Sequence, residues 1–238
     1  MNSPKSVVIT GACSGIGRAI AVRLAKSGWR VALIGRNEDA LFETAAHVVE
    51  GSIPPVVFPC DVSDPNAVEQ MADSVISRFA RLQALVNAAG MNISRRCLRD
   101  SSIVDFRSVL ETNLFGACYC TRAFLPGMLE SGEGTVVNVS SEAGRQASVK
   151  SGTAYTASKF GLAGLTQSIN TEERENGIRA CCLFLGDVST PLRDGRPSPP
   201  SHEKRLRMLQ PEDVAECVQL VLSLPPTALV EEMVIRPR

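Results

Sequence analysis

No charge of one sign dominates this chain: 25 lysines and arginines are matched by 25 aspartates and glutamates. A balanced chain has no global field to draw in nucleic acid or an anionic membrane surface, so neither is expected as a partner. Metal ligands are scarce as well. His47 and His202 are the only histidines, and the eight cysteines, at 13, 60, 97, 118, 120, 181, 182 and 217, form neither a C-x-x-C pair nor a Cys/His cluster, which argues against a metal site. Unclustered thiols fit small buried apolar residues in a reducing compartment. No apolar run approaches the roughly 20 residues of a membrane span, and residues 1–5 lead into a strand-like segment with no cleavable leader. The expectation is a soluble, cytoplasmic protein. There is no internal repeat, and 238 residues fit one large α/β domain with no second one needed.

What is present is an alternation. Short β-branched runs at 6–10, 30–34, 56–59, 84–87, 135–140, 179–185 and 230–235 read as strands, with helical patterns near 15–27, 37–49, 65–79, 103–130, 152–176 and 211–223 between them. Seven strands and six helices in this order predict a doubly wound α/β fold, a parallel sheet with helices on both faces. Capping chemistry agrees. Asp64-Pro65 supplies an N-cap and a first-position proline, Gln210-Pro211-Glu212-Asp213 puts proline and acids in another first turn, and Gly28 and Gly177 follow helices. One stretch breaks the pattern: residues 191–201 hold four prolines and a glycine, which predicts a mobile flap without regular structure. Loops beyond the carboxyl ends of such strands line the ligand crevice, so the segment near 187–209 is placed to cover a substrate.

Two groups of residues carry chemistry. The first strand runs into Gly11-Ala12-Cys13-Ser14-Gly15-Ile16-Gly17, where the glycines permit a tight turn, approach of a pyrophosphate to bare backbone, and close helix packing, with a helix N-terminus facing the anion. Taken alone, such a turn also occurs without a ligand. The second group is Tyr155 and Lys159, one helical turn apart, with Ser141 a short loop upstream. A ketone accepts hydride readily only when its oxygen is hydrogen-bonded as charge develops. A phenol has a pKa of about 10, and a lysine at i+4 is expected to lower it. Ser140 and Ser141 are adjacent, and strand alternation points them to opposite sides. A proton donor and a nucleotide cradle on one chain point to carbonyl–alcohol redox chemistry.

The spacing T-G-x-x-x-G-x-G over 10–17, Asn87-Ala88-Ala89-Gly90 after the fourth strand, Asn113 in the long helix, Ser141, and Tyr155 with Lys159 resemble, in that order and over essentially the whole chain, the short-chain dehydrogenase/reductase family. The resemblance implies a Rossmann-type fold with a nicotinamide cofactor held by Gly11, Ser14, Gly15, Ile16, Gly17, Asn87, Ala88, Gly90, Tyr155, Lys159, Gly186, Val188 and Thr190, and Asp61-Val62 at the adenine. It implies a catalytic set in which Ser141 holds the substrate oxygen, Tyr155 exchanges the proton, Lys159 also binds ribose hydroxyls, and the side chain of Asn113 loosens its helix and positions a water linking the lysine to solvent. Asp61 also reads as the start of a turn with Asp64. Relatives that use NAD carry an acid at the end of the second strand; here Gly35 stands there, followed by Arg36, whose guanidinium fork matches a 2′-phosphate. The cofactor expected is therefore NADP(H).

The chain departs from the family in places. Leu185 replaces a proline beside the nicotinamide, which is expected to leave that backbone freer, Cys181 replaces an asparagine, and the 142–154 loop is one residue longer than usual. The segments expected to form the pocket, 91–96, 142–154 and 187–209, hold Arg95, Arg96, Arg145, Lys150, Arg193, Arg196, Lys204, Arg205 and Arg207 against few acids. They read either as an attraction for an anionic substrate, a carboxylate or acyl thioester, or as solvated loop charges. Relatives form homo-dimers or homo-tetramers through the long fourth and fifth helices and the C-terminal strand, and Leu162-Ala163-Gly164-Leu165 is compatible with such a contact or with packing inside the chain. The expected function is reversible NADPH-dependent reduction of a ketone or aldehyde, a 3-oxoacyl or other small carbonyl compound. The competing reading is a non-catalytic NADPH-binding regulatory or scaffold protein.

Overall fold

The computed structural model describes residues 4–48, 51–79, 81–195 and 198–238. Strands β1 (Ser6–Thr10), β2 (Arg30–Gly35), β3 (Val56–Pro59), β4 (Ala84–Asn87), β5 (Gly134–Val139), β6 (Ile178–Leu185) and β7 (Glu232–Ile235) form one parallel sheet in the order β3-β2-β1-β4-β5-β6-β7. The chain winds outward from β1 to β3, returns to β4 beside β1, and winds outward the other way. The connections after β1 and β4 therefore diverge, opening a crevice at the carboxyl ends of those strands.

The helices are α1 (Gly15–Lys26), α2 (Glu38–Ala46), α3 (Pro65–Phe79), α4 (Ile103–Leu110), α5 (Gly116–Ser131), α6 (Thr153–Glu173), α7 (His202–Leu206) and α8 (Pro211–Ser223). Both faces of the sheet are covered, which is why its strands read as continuous apolar runs. Val7, Ile9, Val31, Leu33 and Val86 pack with Ile20, Leu24 and Val218 on one face, while Val8, Ala32, Ile34 and Leu85 pack with Val75, Phe124 and Ile169 on the other. Phe124, 2% exposed, anchors the second layer. Phe124→Ala is expected to lower stability by about 3–5 kcal/mol, read as a reduced denaturant midpoint with an unchanged slope.

The structure corrects several sequence-based boundaries. The helix expected over 103–130 is broken by a π turn at Glu111–Phe115, because the Asn113 side chain is drawn onto the Met91 backbone, accepting from Met91 N at 2.7 Å and donating to Met91 O at 2.9 Å. The helix expected over 152–176 tightens into a 3₁₀ turn, Arg174–Asn176, before Gly177. The helix expected over 37–49 runs Glu38–Ala46, with Asn37 as its N-cap accepting from Ala40 N at 3.1 Å; residue 49 lies outside the described residues. β7 begins at Glu232 rather than 230.

Nor is the proline-rich segment irregular throughout. Pro191–Arg193 forms a 3₁₀ turn, because proline is tolerated where its missing N–H would have no partner. Ser201 then caps α7, accepting from Lys204 N at 3.4 Å; residues 196 and 197 lie outside the described residues. The two ends of the loop are clasped, with Ser189 N donating to Leu209 O at 2.8 Å and Leu209 N to Asp187 O at 3.0 Å. Leu162 and Ala163 are buried inside the chain, Ala163 against Cys182 and Phe184, so these two residues of the small apolar run pack internally. No helix among the described residues is long and apolar enough to cross a membrane.

Candidate active site

At the nucleotide end, Thr10 closes β1 with its Oγ1 accepting from Ala88 N and Ala89 N, both at 3.1 Å, which joins the glycine turn to the loop after β4. The turn is tight enough that a Cβ at Gly17 would lie 2.2 Å from Gly11 O. Ser14, the N-cap of α1, makes no capping bond among the described residues, and no acid occupies the first turn, so the N–H groups there stay available to an anion. At the end of β2 a Cβ on Gly35 would lie 2.4 Å from Cys13 Sγ. The thiol fills the space an acid would need, leaving Arg36 as the charged group.

Asp61 and Val62 serve the fold more directly than expected. Asp61 Oδ1 accepts from Ser63 N at 3.0 Å and Ser63 Oγ at 2.8 Å, and Asp64 N donates to Asp61 O. This is the turn that sequence offered as an alternative, with Oδ2 standing 3.8 Å from Arg36 Nη1. Val62 is buried against Gly116 at the start of α5. Asn87 is likewise turned into the protein: its Nδ2 donates to Asn138 Oδ1 at 2.9 Å, and Asn138 Nδ2 donates to Thr166 Oγ1 at 2.9 Å. The carboxamide proposed for cofactor contact thus ties β4 to β5 and α6.

At the chemical end, Ser141 Oγ accepts from Ala143 N at 3.2 Å, and Ser141 shares one cavity wall with Tyr155. Ser140 is buried, with its Oγ 3.4 Å from Lys159 O, while Ser141 lines the cavity with Tyr155. Lys159 is buried behind the tyrosine; its Nζ donates to Val139 O at 2.9 Å and lies 5.6 Å from the Tyr155 ring centre. Burial pushes the Lys159 ammonium down to about 8. Burial also raises the Tyr155 phenol, opposed by the nearby Ser141 hydroxyl and the charges of Arg193 and Arg96, so the net shift is upward where a lowering by Lys159 was expected. Gly90 lies between the relay groups, its Cβ position 3.4 Å from Asn113 Oδ1 and 3.7 Å from Lys159 Nζ. Asn113 also donates to Ser158 Oγ at 3.1 Å, so both amide hydrogens engage the protein and the side chain acts as a clamp between the Met91 loop and α6.

A cavity of about 720 Å³ joins the two ends. It is lined by Ile16, Ala88, Gly90, Ser141, Tyr155, Lys159, Gly186, Val188 and Thr190 from the sequence reading. A family model described as short chain dehydrogenase matches residues 5–200. The chain belongs to the short-chain dehydrogenase family. It is 33% identical over 233 residues to an uncharacterised oxidoreductase of Staphylococcus aureus strain N315, covering 98% of this chain and 97% of that one. Among solved structures it resembles an alcohol dehydrogenase of the archaeon Thermococcus sibiricus complexed with 5-hydroxy-NADP, at 29% identity and TM-score 0.88, covering 99% and 97% of the two chains. It also resembles an actinorhodin polyketide ketoreductase variant with NADPH, at 30% identity and TM-score 0.88, again covering 99% and 97%.

In this short-chain dehydrogenase the missing proline at 185 does not loosen the backbone. Leu185 is paired with Ile235 in the sheet, and Gly186 N donates to Ile235 O at 2.8 Å. Of the cations read from the loops, Arg96, Arg145, Lys150 and Arg193 line the cavity; Arg205 pairs instead with Asp194, and Arg196 lies outside the described residues. Arg236 also lines the cavity and was missed. Its signal was available, since it follows β7 and the carboxyl ends of parallel strands border the crevice.

Proposed function

We propose that this short-chain dehydrogenase is an oxidoreductase that reversibly reduces a ketone or aldehyde to the alcohol with NADP(H), in one domain spanning 1–238 with the segment near 187–209 covering the substrate. The observation that carries this reading is the single cavity in which Ser141, Tyr155 and the buried Lys159 stand together with Ile16, Ala88 and Thr190 of the nucleotide end. The open N-terminus of α1 and Arg36, beside a Gly35 position closed to an acid by Cys13, fit a phosphate-bearing nucleotide. Bound there, NADPH supplies the hydride that reaches the carbonyl carbon.

This chain's residues do the rest. Ser141 holds the carbonyl oxygen, and Tyr155 gives its proton to that oxygen as negative charge develops. Lys159, poised at about 8, exchanges protons near neutrality and restores the phenol. The relay continues toward the π turn at Asn113, with the Asn113 clamp holding Met91 and α6 in place. Oxidation of the alcohol reverses each transfer. Phe115 and Phe160, 41% and 46% exposed at the start of α5 and on α6, favour a homo-dimer or homo-tetramer in the cytoplasm, where thiols stay reduced.

Oxidation of NADPH over a panel of ketones, diketones, 3-oxo esters and sugars tests the reading, and turnover of none of them would refute it. Arg36→Leu is expected to lower kcat/KM with NADPH about 10- to 100-fold while leaving NADH kinetics within about threefold. Equal losses with both cofactors would remove Arg36 from phosphate recognition.

A further inference from the structure

Two guanidiniums stand in the wall of the cavity that holds Tyr155, and the proton transfer above uses neither. Arg96, in the loop after β4, is fixed by its own donors: Nε to Ile93 O at 2.7 Å and Nη1 to Lys150 O at 3.0 Å. Its carbonyl accepts from Thr153 N at 3.1 Å. Gly152, with φ +81°, leaves room for it, since a Cβ there would stand 2.5 Å from Arg96 Cβ. Nothing among the described residues bonds its Nη2. Arg193, at the root of the flap, has a side chain only 12% exposed; its Nε donates to Val188 O at 3.1 Å, its Nη2 to Gly186 O at 3.3 Å, and its Nη1 lies 2.5 Å from Asp187 Oδ1.

Both arginines line the cavity that holds Ser141 and Tyr155. They stand close enough to pull on the phenol, and close enough to each other that Arg193 adds to the lowering of Arg96 that burial begins. The acids in the cavity wall are already engaged. Glu142 pairs with Arg236 at 2.5 Å, and Asp187 with Lys150 and Arg193. Among the described residues Arg96 has no carboxylate partner. Arg193 is already neutralised by Asp187, whereas Arg96, partly desolvated and with no carboxylate beside it, favours an anion there.

We propose that the substrate carries a carboxylate within a carbon or two of its reacting carbonyl, so that Arg96 receives the carboxylate while Ser141 and Tyr155 receive the carbonyl oxygen. The reactants are then an oxo acid and the corresponding hydroxy acid. In the reducing direction hydride adds to the carbonyl carbon, the C=O π pair moves to oxygen, Tyr155 protonates that oxygen, and the carboxylate is unchanged. This deepens the carbonyl-reductase reading and rests on it.

The test pairs turnover with binding. For the wild type, kcat/KM with NADPH for acetoacetate is expected to exceed that for methyl acetoacetate by about 10-fold or more. Arg96→Met should lower the value for the acid about 10- to 100-fold more than the value for the ester, mainly through KM; Arg96→Lys should recover part of that difference. In ligand-detected NMR on protein saturated with NADP+, butyrate should bind more tightly than butyramide, and Arg96→Met should erase the difference. An ester used as well as the acid, an equal loss for both in Arg96→Met, or no preference for butyrate overturns the inference even if neutral ketones are reduced. Carboxylate preference in binding with no carbonyl reduced supports the anion site and overturns the reductase reading instead. The wild-type comparisons decide the matter even if a variant fails to fold.

Discussion

Tyr155→Phe is expected to reduce turnover about 10³-fold or more while NADPH binding, followed by its fluorescence, changes less than about threefold. The substitution removes one oxygen and keeps the ring. That oxygen belongs to the cavity that Ser141, Lys159, Arg96 and Arg193 also line. A positioned acid contributes about 10²–10⁴ to such a step. Because burial raises this phenol, it stays protonated at neutral pH and suits reduction as a general acid. Preserved turnover in the phenylalanine variant would sink the assignment, whatever happened to cofactor affinity.

Lys159→Met should have two effects of opposite sign. Turnover is expected to fall about 10²- to 10⁴-fold, because the proton route behind Tyr155 loses its exchangeable group. Stability is expected to rise. The ammonium titrates at about 8 in the fold against an ordinary 10.5, so the folded state binds this proton less tightly than the unfolded chain does. The resulting penalty is present in full below about pH 8 and fades as pH climbs toward 10.5. Removing the charge should therefore stabilise the protein at pH 7 by up to about 3 kcal/mol, with no gain left above pH 10.5. Denaturation midpoints of both proteins across pH check the sign, and a variant less stable at pH 7 but equal at high pH would contradict it. The wild type's reduction rate should be flat below about pH 8 and fall above it as the ammonium is lost. A buried charge kept for function at the expense of stability is a familiar bargain.

The parallel sheet, the glycine turn and the Tyr155/Lys159 pair were legible because each rests on short-range regularity. Apolar runs bounded by caps mark the strands, a helical turn sets a four-residue spacing, and a tight turn demands glycine. Gly35 followed by Arg36 was legible for the same reason, as a choice of side chain at a strand end.

What escaped depends on contacts between residues far apart in the chain. The π turn arises because Asn113 reaches Met91 across a gap of 22 positions. Asn87 looks like a cleft residue by motif and is a buried tie because Asn138 of β5 and Thr121 of α5 meet it from two other elements. Sequence put Cys13 only at the border of the glycine turn, and the fold sets its sulfur over Gly35 at the end of β2. The sequence by itself determined the winding of the sheet, the tight glycine turn and the one-turn spacing of Tyr155 and Lys159, since their causes lie within a few residues. Only the tertiary structure decided which charges face the Tyr155 oxygen: electrostatics depends on distance through space, and the fold alone brings Arg96 and Arg193 together.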